Sequence, residues 1–160
     1  TPSSSSAASD VYKRQDEPFT PVDLLEFKTF SSMQIAFFWL AMQYGMSMLF
    51  VGGTASGKTT SLNACSLFLP WQHKIVSIEE TRELNLPHPN WIPGCTRQGF
   101  GGESAGSGVK AAGEVDMYDL LRAALRERPE YIIVGEIRGA EAYVLFQAMA
   151  TGHTLSLIHI

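Results

Sequence analysis

The segment GGTASGKT occupies residues 52–59 and matches the pattern GxxxxGK[ST]. An apolar run at residues 48–51 precedes it, and residues compatible with a helix follow it. Strand, glycine-rich turn and helix in this order form a loop whose backbone N–H groups can surround a phosphate group. The sequence therefore predicts an α/β protein with a phosphate-binding loop. The alternative is an ordinary glycine-rich turn at the start of a helix.

This loop predicts binding of ATP together with Mg²⁺. The ammonium group of Lys58 is expected to reach the β- and γ-phosphates, and the hydroxyl of Thr59 to bind Mg²⁺. Thr60 is placed to contact a phosphate nearer the nucleoside. The predicted nucleotide-binding residues are Gly52, Gly53, Thr54, Ala55, Ser56, Gly57, Lys58, Thr59 and Thr60.

Hydrolysis also needs a group that orients water and a group that supports the metal, and carboxylates at two strand ends are the candidates. Glu79 and Glu80 follow the apolar run at residues 74–78, and Glu136 follows the next run. Because parallel strands gather their ligands at their carboxyl ends, these groups are predicted to lie together. Many P-loop enzymes have an aspartate where Gly135 stands, so Glu136 must support the metal or the site is inert. The alternative is that these carboxylates are solvated groups at helix starts.

Three short apolar runs, at residues 48–51, 74–78 and 131–134, are typical of parallel strands that are buried on both faces. Residues 117–125 carry apolar side chains at positions i, i+3, i+4, i+7 and i+8, which predicts a helix with one core face. Pro129 is expected to end this helix. The order of these elements predicts a βαβ arrangement.

A further helix is predicted at residues 33–44, with Ser31 or Ser32 as its N-cap and Gly45 at its end. It is apolar nearly all round, so it is expected to be covered on several sides. Its apolar run at residues 35–42 is far shorter than the roughly 20 residues that cross a bilayer. The pattern therefore predicts a buried helix and not a membrane anchor.

Composition narrows the class of protein. The chain has 160 residues, of which 45% are hydrophobic, and this suits one globular domain. The formal net charge is −4 and Lys and Arg form no basic stripe, so no nucleic-acid partner is expected. The two cysteines, Cys65 and Cys95, are too few and too far apart for a disulfide framework or a zinc motif, and are expected to be unpaired thiols.

Both ends of the sequence look foreign to the rest. Residues 5–15, SSAASDVYKRQ, match the translation of a transposase-type sequencing adapter, and residues 155–160, LSLIHI, match that of its reverse complement. The alternative is a serine-rich disordered tail and an apolar C-terminal strand. We expect residues 1–15 and 155–160 to be adapter translation with few tertiary contacts, and residues 16–154 to be a partial nucleotide-binding domain.

Four motifs in fixed order resemble the type II/type IV secretion ATPase superfamily. They are the phosphate-binding loop, VSIEETRELNLPHPNW at residues 76–91, RPEYIIVGEIRG at 128–139 and ATGHT at 150–154. The chain looks most like the archaeal branch, which drives archaellum and type IV pilus assembly. The resemblance covers essentially all of residues 16–154 and implies a RecA-like ATPase domain with a parallel sheet, truncated at its C-terminus.

The resemblance also implies a role for particular residues. Glu79 stands at the position of the family's catalytic glutamate, and Glu136 at the metal-linked glutamate of an atypical Walker B motif in which a preceding glycine is normal. His153 corresponds to the first histidine of the His box, which implies γ-phosphate sensing or an interface role. The alternative is an ordinary core or surface histidine. The candidates for arginines that act across subunit boundaries are Arg82, Arg97 and Arg138.

For the full-length protein the resemblance implies a Mg²⁺-dependent ATPase that forms a homo-hexameric ring. It would be cytoplasmic, peripheral at the inner face of the membrane, and would act on a membrane platform protein that extrudes pilin-like subunits. The alternatives are a conjugative or type IV secretion traffic ATPase, a DNA-handling RecA-like motor, which the missing basic stripe disfavours, and a nucleotide-binding switch without turnover. The 160 residues alone are expected to be inactive or weakly active, because a site between two subunits is incomplete without the rest of the protein.

Overall fold

The computed structural model describes residues 18–99, 112–137, 141–150 and 155–159, and these residues form five helices and five strands. The helices are α1 (Pro21–Glu26), α2 (Ser32–Gln43), α3 (Lys58–Ser66), α4 (Met117–Arg126) and α5 (Glu141–Ala150). The strands are β1 (Leu49–Phe50), β2 (Ile75–Glu79), β3 (Trp91–Cys95), β4 (Tyr131–Val134) and β5 (Leu155–His159).

All five strands run parallel in one sheet, in the order β1-β5-β4-β2-β3. At its centre, the register of β2 and β4 pairs Ile75 with Tyr131 and Ile78 with Val134. Every residue of these two strands is buried, as expected for parallel strands covered on both faces. The predicted α/β class with a parallel sheet is therefore confirmed, and the predicted bounds of β4 are correct.

Each face of the sheet has its own hydrophobic core, because successive side chains of a strand point to opposite faces. One core contains Val76, Ile78, Ile132 and Val134 together with Leu121 of α4 and Leu145 of α5. The other contains Ile75, Tyr131 and Ile133 together with Met42 of α2 and Leu62 of α3. Helix α3, which follows the phosphate-binding loop, thus packs against the central strands through the second core.

The N-cap of helix α2 is Ser31, one of the two serines that the sequence offers, and it forms a capping box with Gln34. The hydroxyl of Ser31 accepts from the N–H of Gln34, and the side-chain oxygen of Gln34 accepts from the N–H of Ser31 at 2.8 Å. Gly45, just past the C-cap residue, has a φ of 66°, which glycine adopts without strain.

The prediction that α2 is covered on several sides is wrong. Met33, Phe37, Leu40 and Tyr44 recur at the spacing of one helical face and are 82%, 62%, 57% and 78% exposed. The buried residues of α2 are Ile35, Ala41 and Met42. An apolar pattern all round a helix does not show which face packs against the protein, and in α2 only one side does so. Among the described residues, no helix is long and apolar enough to span a membrane.

Strand β5 contradicts the expectation that residues 155–160 make few tertiary contacts. Its backbone lies between β1 and β4, pairing Ile158 with Leu49 and Leu155 with Ile132. An apolar segment of this length can satisfy the hydrogen-bonding groups of both neighbouring strands, which explains its place in the sheet. Residues 1–15 lie outside the described residues, and the adapter origin of both segments stays a prediction.

Candidate functional site

The phosphate-binding loop joins β1 to α3, and its residues 52–57 are exposed. Gly57 is the N-cap residue of α3, with a φ of 82° and no side-chain hydrogen bond to the helix start. The first backbone N–H groups of α3 therefore meet no capping side chain, and the positive end of the helix dipole faces the loop. This geometry suits an anion such as a phosphate group.

Lys58, the first residue of α3, turns back over the loop. Its ammonium group donates a hydrogen bond to the backbone carbonyl oxygen of Gly53. The lysine thus places a positive charge against the loop to which phosphate oxygens would bind. Thr59 and Thr60 follow in the first turn of α3 and are half-buried.

Glu79 ends β2 and has a side chain only 2% exposed. Its Oε1 atom accepts hydrogen bonds from the backbone N–H groups of Glu83 at 3.0 Å and Leu84 at 2.9 Å. Its Oε2 atom is buried and has no hydrogen-bond partner among the residues that the structure describes. A buried carboxylate oxygen almost always has a partner, so Oε2 is placed to accept from a ligand or a water molecule.

A cavity of about 310 Å³ adjoins Glu79 and α3. Its lining residues are Thr59, Leu62, Glu79, Glu80, Thr81, Glu83, Leu84, Gly135 and Glu136. The structure therefore brings together Thr59, Glu79 and Glu136, which the sequence predicts as metal-binding and catalytic residues. They come from a helix start and from the ends of two neighbouring strands, where ligands of open α/β sheets bind.

Glu136 lies two residues beyond β4 and is half-buried at the cavity wall. The N–H of Gly135 donates to the carbonyl oxygen of Ile78 at 2.8 Å, which extends the β2–β4 pairing beyond the strand. This hydrogen bond fixes the backbone from which the Glu136 side chain starts.

The same residues fit a magnesium ion. Within the described ranges, no three His, Cys, Asp or Glu side chains are grouped to hold a metal by themselves. Mg²⁺ is usually held by one or two protein side chains while phosphate oxygens and water complete its shell. The Thr59 hydroxyl and the Glu136 carboxylate, on one cavity wall, are such a set.

Two of the three candidate arginines have partners in their own chain. The guanidinium of Arg82 lies over the Trp91 ring at 5.0 Å from its centroid. Nε of Arg97 donates to the carbonyl oxygen of Gly113 at 2.9 Å. Neither arginine lines the cavity described above. Arg138 and His153 lie outside the described residues, so their roles stay predictions.

Two structural features near the cavity cannot be predicted from the sequence. The N–H groups of Glu83 and Leu84 hold Glu79, and such backbone contacts depend on how the loop after β2 folds. His88 is 6% exposed, and its Nε2 lies 2.9 Å from the carbonyl oxygen of Leu69. It anchors the segment that leads from the cavity to β3.

Both cysteines are unpaired thiols, as predicted. Burial raises the pKa of Cys65 to about 12, so this thiol stays protonated and packs as an apolar group. Cys95 is exposed at the end of β3.

Comparison with known proteins gives a consistent result. A family model described as type II/IV secretion system protein matches residues 8–160. The uncharacterized protein MJ1287 of the archaeon Methanocaldococcus jannaschii is 54% identical over 140 residues, which cover 87% of this chain and 49% of the relative. The type IV secretion system protein PtlH of Bordetella pertussis is 39% identical over 122 residues, covering 74% of this chain and 33% of PtlH. The chain thus spans about half or less of the length of these relatives.

Two solved structures share the fold. The VirB11 ATPase of the Brucella suis type IV secretion system, crystallised with sulphate, superimposes with a TM-score of 0.63 at 30% identity, covering 88% of this chain and 40% of VirB11. The pilus retraction motor PilT with bound ADP gives a TM-score of 0.53 at 29% identity, covering 72% and 31% of the two chains. The RecA-like core that the motifs imply is therefore confirmed.

Proposed function

This chain belongs to the type II/IV secretion system protein family, and from this we propose that it is part of a Mg²⁺-dependent ATPase motor. The observation that carries the proposal is that Glu79, whose buried Oε2 has no hydrogen-bond partner among the described residues, lines one cavity with Thr59 and Glu136. A nucleotide-binding switch without turnover would not need a carboxylate oxygen held unsatisfied at that place.

The residues divide the chemistry of ATP hydrolysis among them. The phosphate-binding loop and the N-terminus of α3 hold the phosphates, and Lys58 offsets the charge on the β- and γ-phosphates. Thr59 and Glu136 would hold Mg²⁺, which would draw charge from the phosphate oxygens and so make the γ-phosphorus easier to attack. Glu79 orients the attacking water through Oε2 and accepts its proton while the water oxygen bonds to the γ-phosphorus. The bond from the γ-phosphorus to the β-phosphate oxygen breaks, so ADP leaves and phosphate is released.

The hydrogen bonds to Glu79 support this role. Because Oε1 already accepts from two backbone N–H groups, the carboxylate cannot rotate freely and Oε2 keeps one direction. A base fixed before the reaction does not have to be ordered during it, which is how positioning contributes to rate.

For the full-length protein we propose a homo-hexameric ring that passes the work of ATP hydrolysis to a membrane platform protein in the assembly of type IV filaments. In this proposal the full-length protein lies in the cytoplasm at the inner face of the membrane. The likeness to PilT, a pilus retraction motor, supports the filament role. The likeness to VirB11 and PtlH favours type IV secretion as the second candidate.

The test is phosphate release by the full-length protein with ATP, measured with Mg²⁺ and with excess chelator. We expect turnover that requires Mg²⁺ and a particle mass six times that of one chain. Tight nucleotide binding without phosphate release would favour the switch and contradict the proposal. Release that depends on added DNA would favour the DNA-handling motor instead.

A further inference from the structure

Gly135 and Glu79 approach each other closely where β4 and β2 end. A Cβ atom placed on Gly135 would lie 3.1 Å from Cγ of Glu79, and 3.5 Å from both Cβ of Glu79 and the carbonyl oxygen of Ile78. The contact at 3.1 Å is tighter than nine in ten real Cβ contacts, so Glu79 would have to shift by a few tenths of an ångström. Gly135 is not among the described glycines with positive φ, so the need for glycine here is one of space and not of backbone conformation.

Glu79 has little freedom to move away from such a Cβ. Its carboxylate is tied to the N–H groups of Glu83 and Leu84, and Leu84 is itself 2% exposed in the hydrophobic core. The next residue, Asn85, donates its N–H to the side-chain oxygen of Asn63 on α3 at 3.3 Å. A displaced Glu79 would therefore lose its hydrogen bonds or shift the backbone of the loop after β2.

We propose that Gly135 is the positioning residue for Glu79, because its missing side chain leaves the volume in which the Glu79 side chain lies. The inference rests on the proposed function, in which Glu79 accepts the proton of the attacking water. Many P-loop enzymes carry an aspartate at this position, and here an aspartate would collide with the base. The glycine thus belongs to a site whose base comes from β2, and it does not mark the loss of a catalytic group.

The consequence for catalysis is specific. Gly135→Ala adds one methyl group, which pushes Cγ of Glu79 by a few tenths of an ångström and turns Oε2 away from the water position. Because a misplacement of about 1 Å costs up to about 10²-fold in rate, we expect kcat to fall about 10-fold. The phosphate-binding loop is separate from this contact, so the Kd for nucleotide should change less than about twofold. Gly135→Asp should reduce kcat at least as much, although it restores the commoner residue.

A double-mutant cycle separates positioning from a general structural effect. The variants are Gly135→Ala, Glu79→Ala and the two together, made in the full-length protein, with Tm and nucleotide Kd as readouts. Glu79→Ala removes Cγ and leaves only the two contacts at 3.5 Å, which are ordinary van der Waals distances. Gly135→Ala should therefore lower Tm in the wild-type background and leave Tm nearly unchanged in the Glu79→Ala background.

Either of two results would overturn the inference. One is an equal loss of Tm from Gly135→Ala in both backgrounds, and the other is a wild-type kcat in Gly135→Ala. If the wild-type protein shows no ATP turnover at all, the proposed function fails, whereas the Tm cycle still decides whether Gly135 accommodates Glu79. If Gly135→Ala alone does not fold, recovery of folding in the double variant supports the inference, and failure of both contradicts it.

Discussion

The backbone N–H of Leu84 donates a 2.9 Å hydrogen bond to Oε1 of Glu79, so a residue of the hydrophobic core orients a carboxylate of the cavity. Hydrogen bonds to a charged acceptor are stronger than those between neutral groups, and this one is shielded from water. The core beside β2 thus determines which oxygen of Glu79 remains available.

Lys58→Ala tests the phosphate-binding loop. Without the ammonium group the γ-phosphate loses its fixed positive charge, so phosphate release by the full-length protein should fall by at least about 10²-fold. The matched control is Lys74→Ala, since the Lys74 ammonium pairs with Glu127 at 3.1 Å and Lys74 precedes β2, at the opposite end of the strand from Glu79. The control should keep most of the activity, and wild-type turnover in Lys58→Ala would refute the loop assignment.

The two cysteines should differ in reactivity toward a thiol reagent. Because burial raises the pKa of Cys65 to about 12, only about one molecule in 10⁴ carries its thiolate at pH 8. Mass spectrometry of the native protein after brief labelling should find Cys95 modified and Cys65 unmodified, and both modified in denaturant. Equal labelling of the two cysteines in the native protein would show that the core around α3 is open.

Alkaline pH should weaken the fold through Cys65. The unfolded chain releases this proton near the ordinary pKa of 9.0, whereas the folded chain holds it until about 12. The stabilisation is therefore complete below pH 9 and is lost as the pH rises toward 12. Burial, and then the neighbouring Glu130, raise the pKa of Tyr131 as well, which acts in the same direction.

The measurement is the Tm of wild type and of Cys65→Ala at pH 8 and at about pH 10.5. The variant should melt lower at pH 8, because it leaves a small cavity. Between the two pH values, the Tm of wild type should fall by more than the Tm of the variant. An identical loss would mean that Cys65 does not titrate with unfolding.

Much of the site can be predicted from the sequence because its signals are local. The phosphate-binding loop needs only one strand, one turn and one helix. Glu79 and Glu136 follow from the carboxyl ends of the neighbouring strands β2 and β4. The structure brings both carboxylates to one cavity with Thr59, as the pattern predicts.

What the sequence does not predict depends on contacts between distant segments. Strand β3 contains Pro93 and Gly94, which weaken any strand pattern, and it is tolerated because it forms the sheet edge. The exposed face of α2 and the N–H groups that hold Glu79 are likewise set by tertiary packing. Local composition carries no information about the exposed face of α2 or about the N–H groups that hold Glu79.

Glu79→Gln in the full-length protein tests the account most directly. Glutamine keeps the shape of the side chain, and its carbonyl oxygen can still accept from the N–H groups of Glu83 and Leu84, but the amide cannot take a proton from water. We expect ATP binding within about twofold of wild type and phosphate release reduced by about 10²-fold or more.

Glu26→Gln, the same change at the exposed end of α1, is the control and should leave both quantities unchanged. The decisive measurement is phosphate release by Glu79→Gln at saturating Mg·ATP, with binding measured in parallel. Binding retained and release lost is the predicted result. Release at the wild-type rate, or a loss of binding as large as the loss of release, would contradict the assignment of Glu79 as the base.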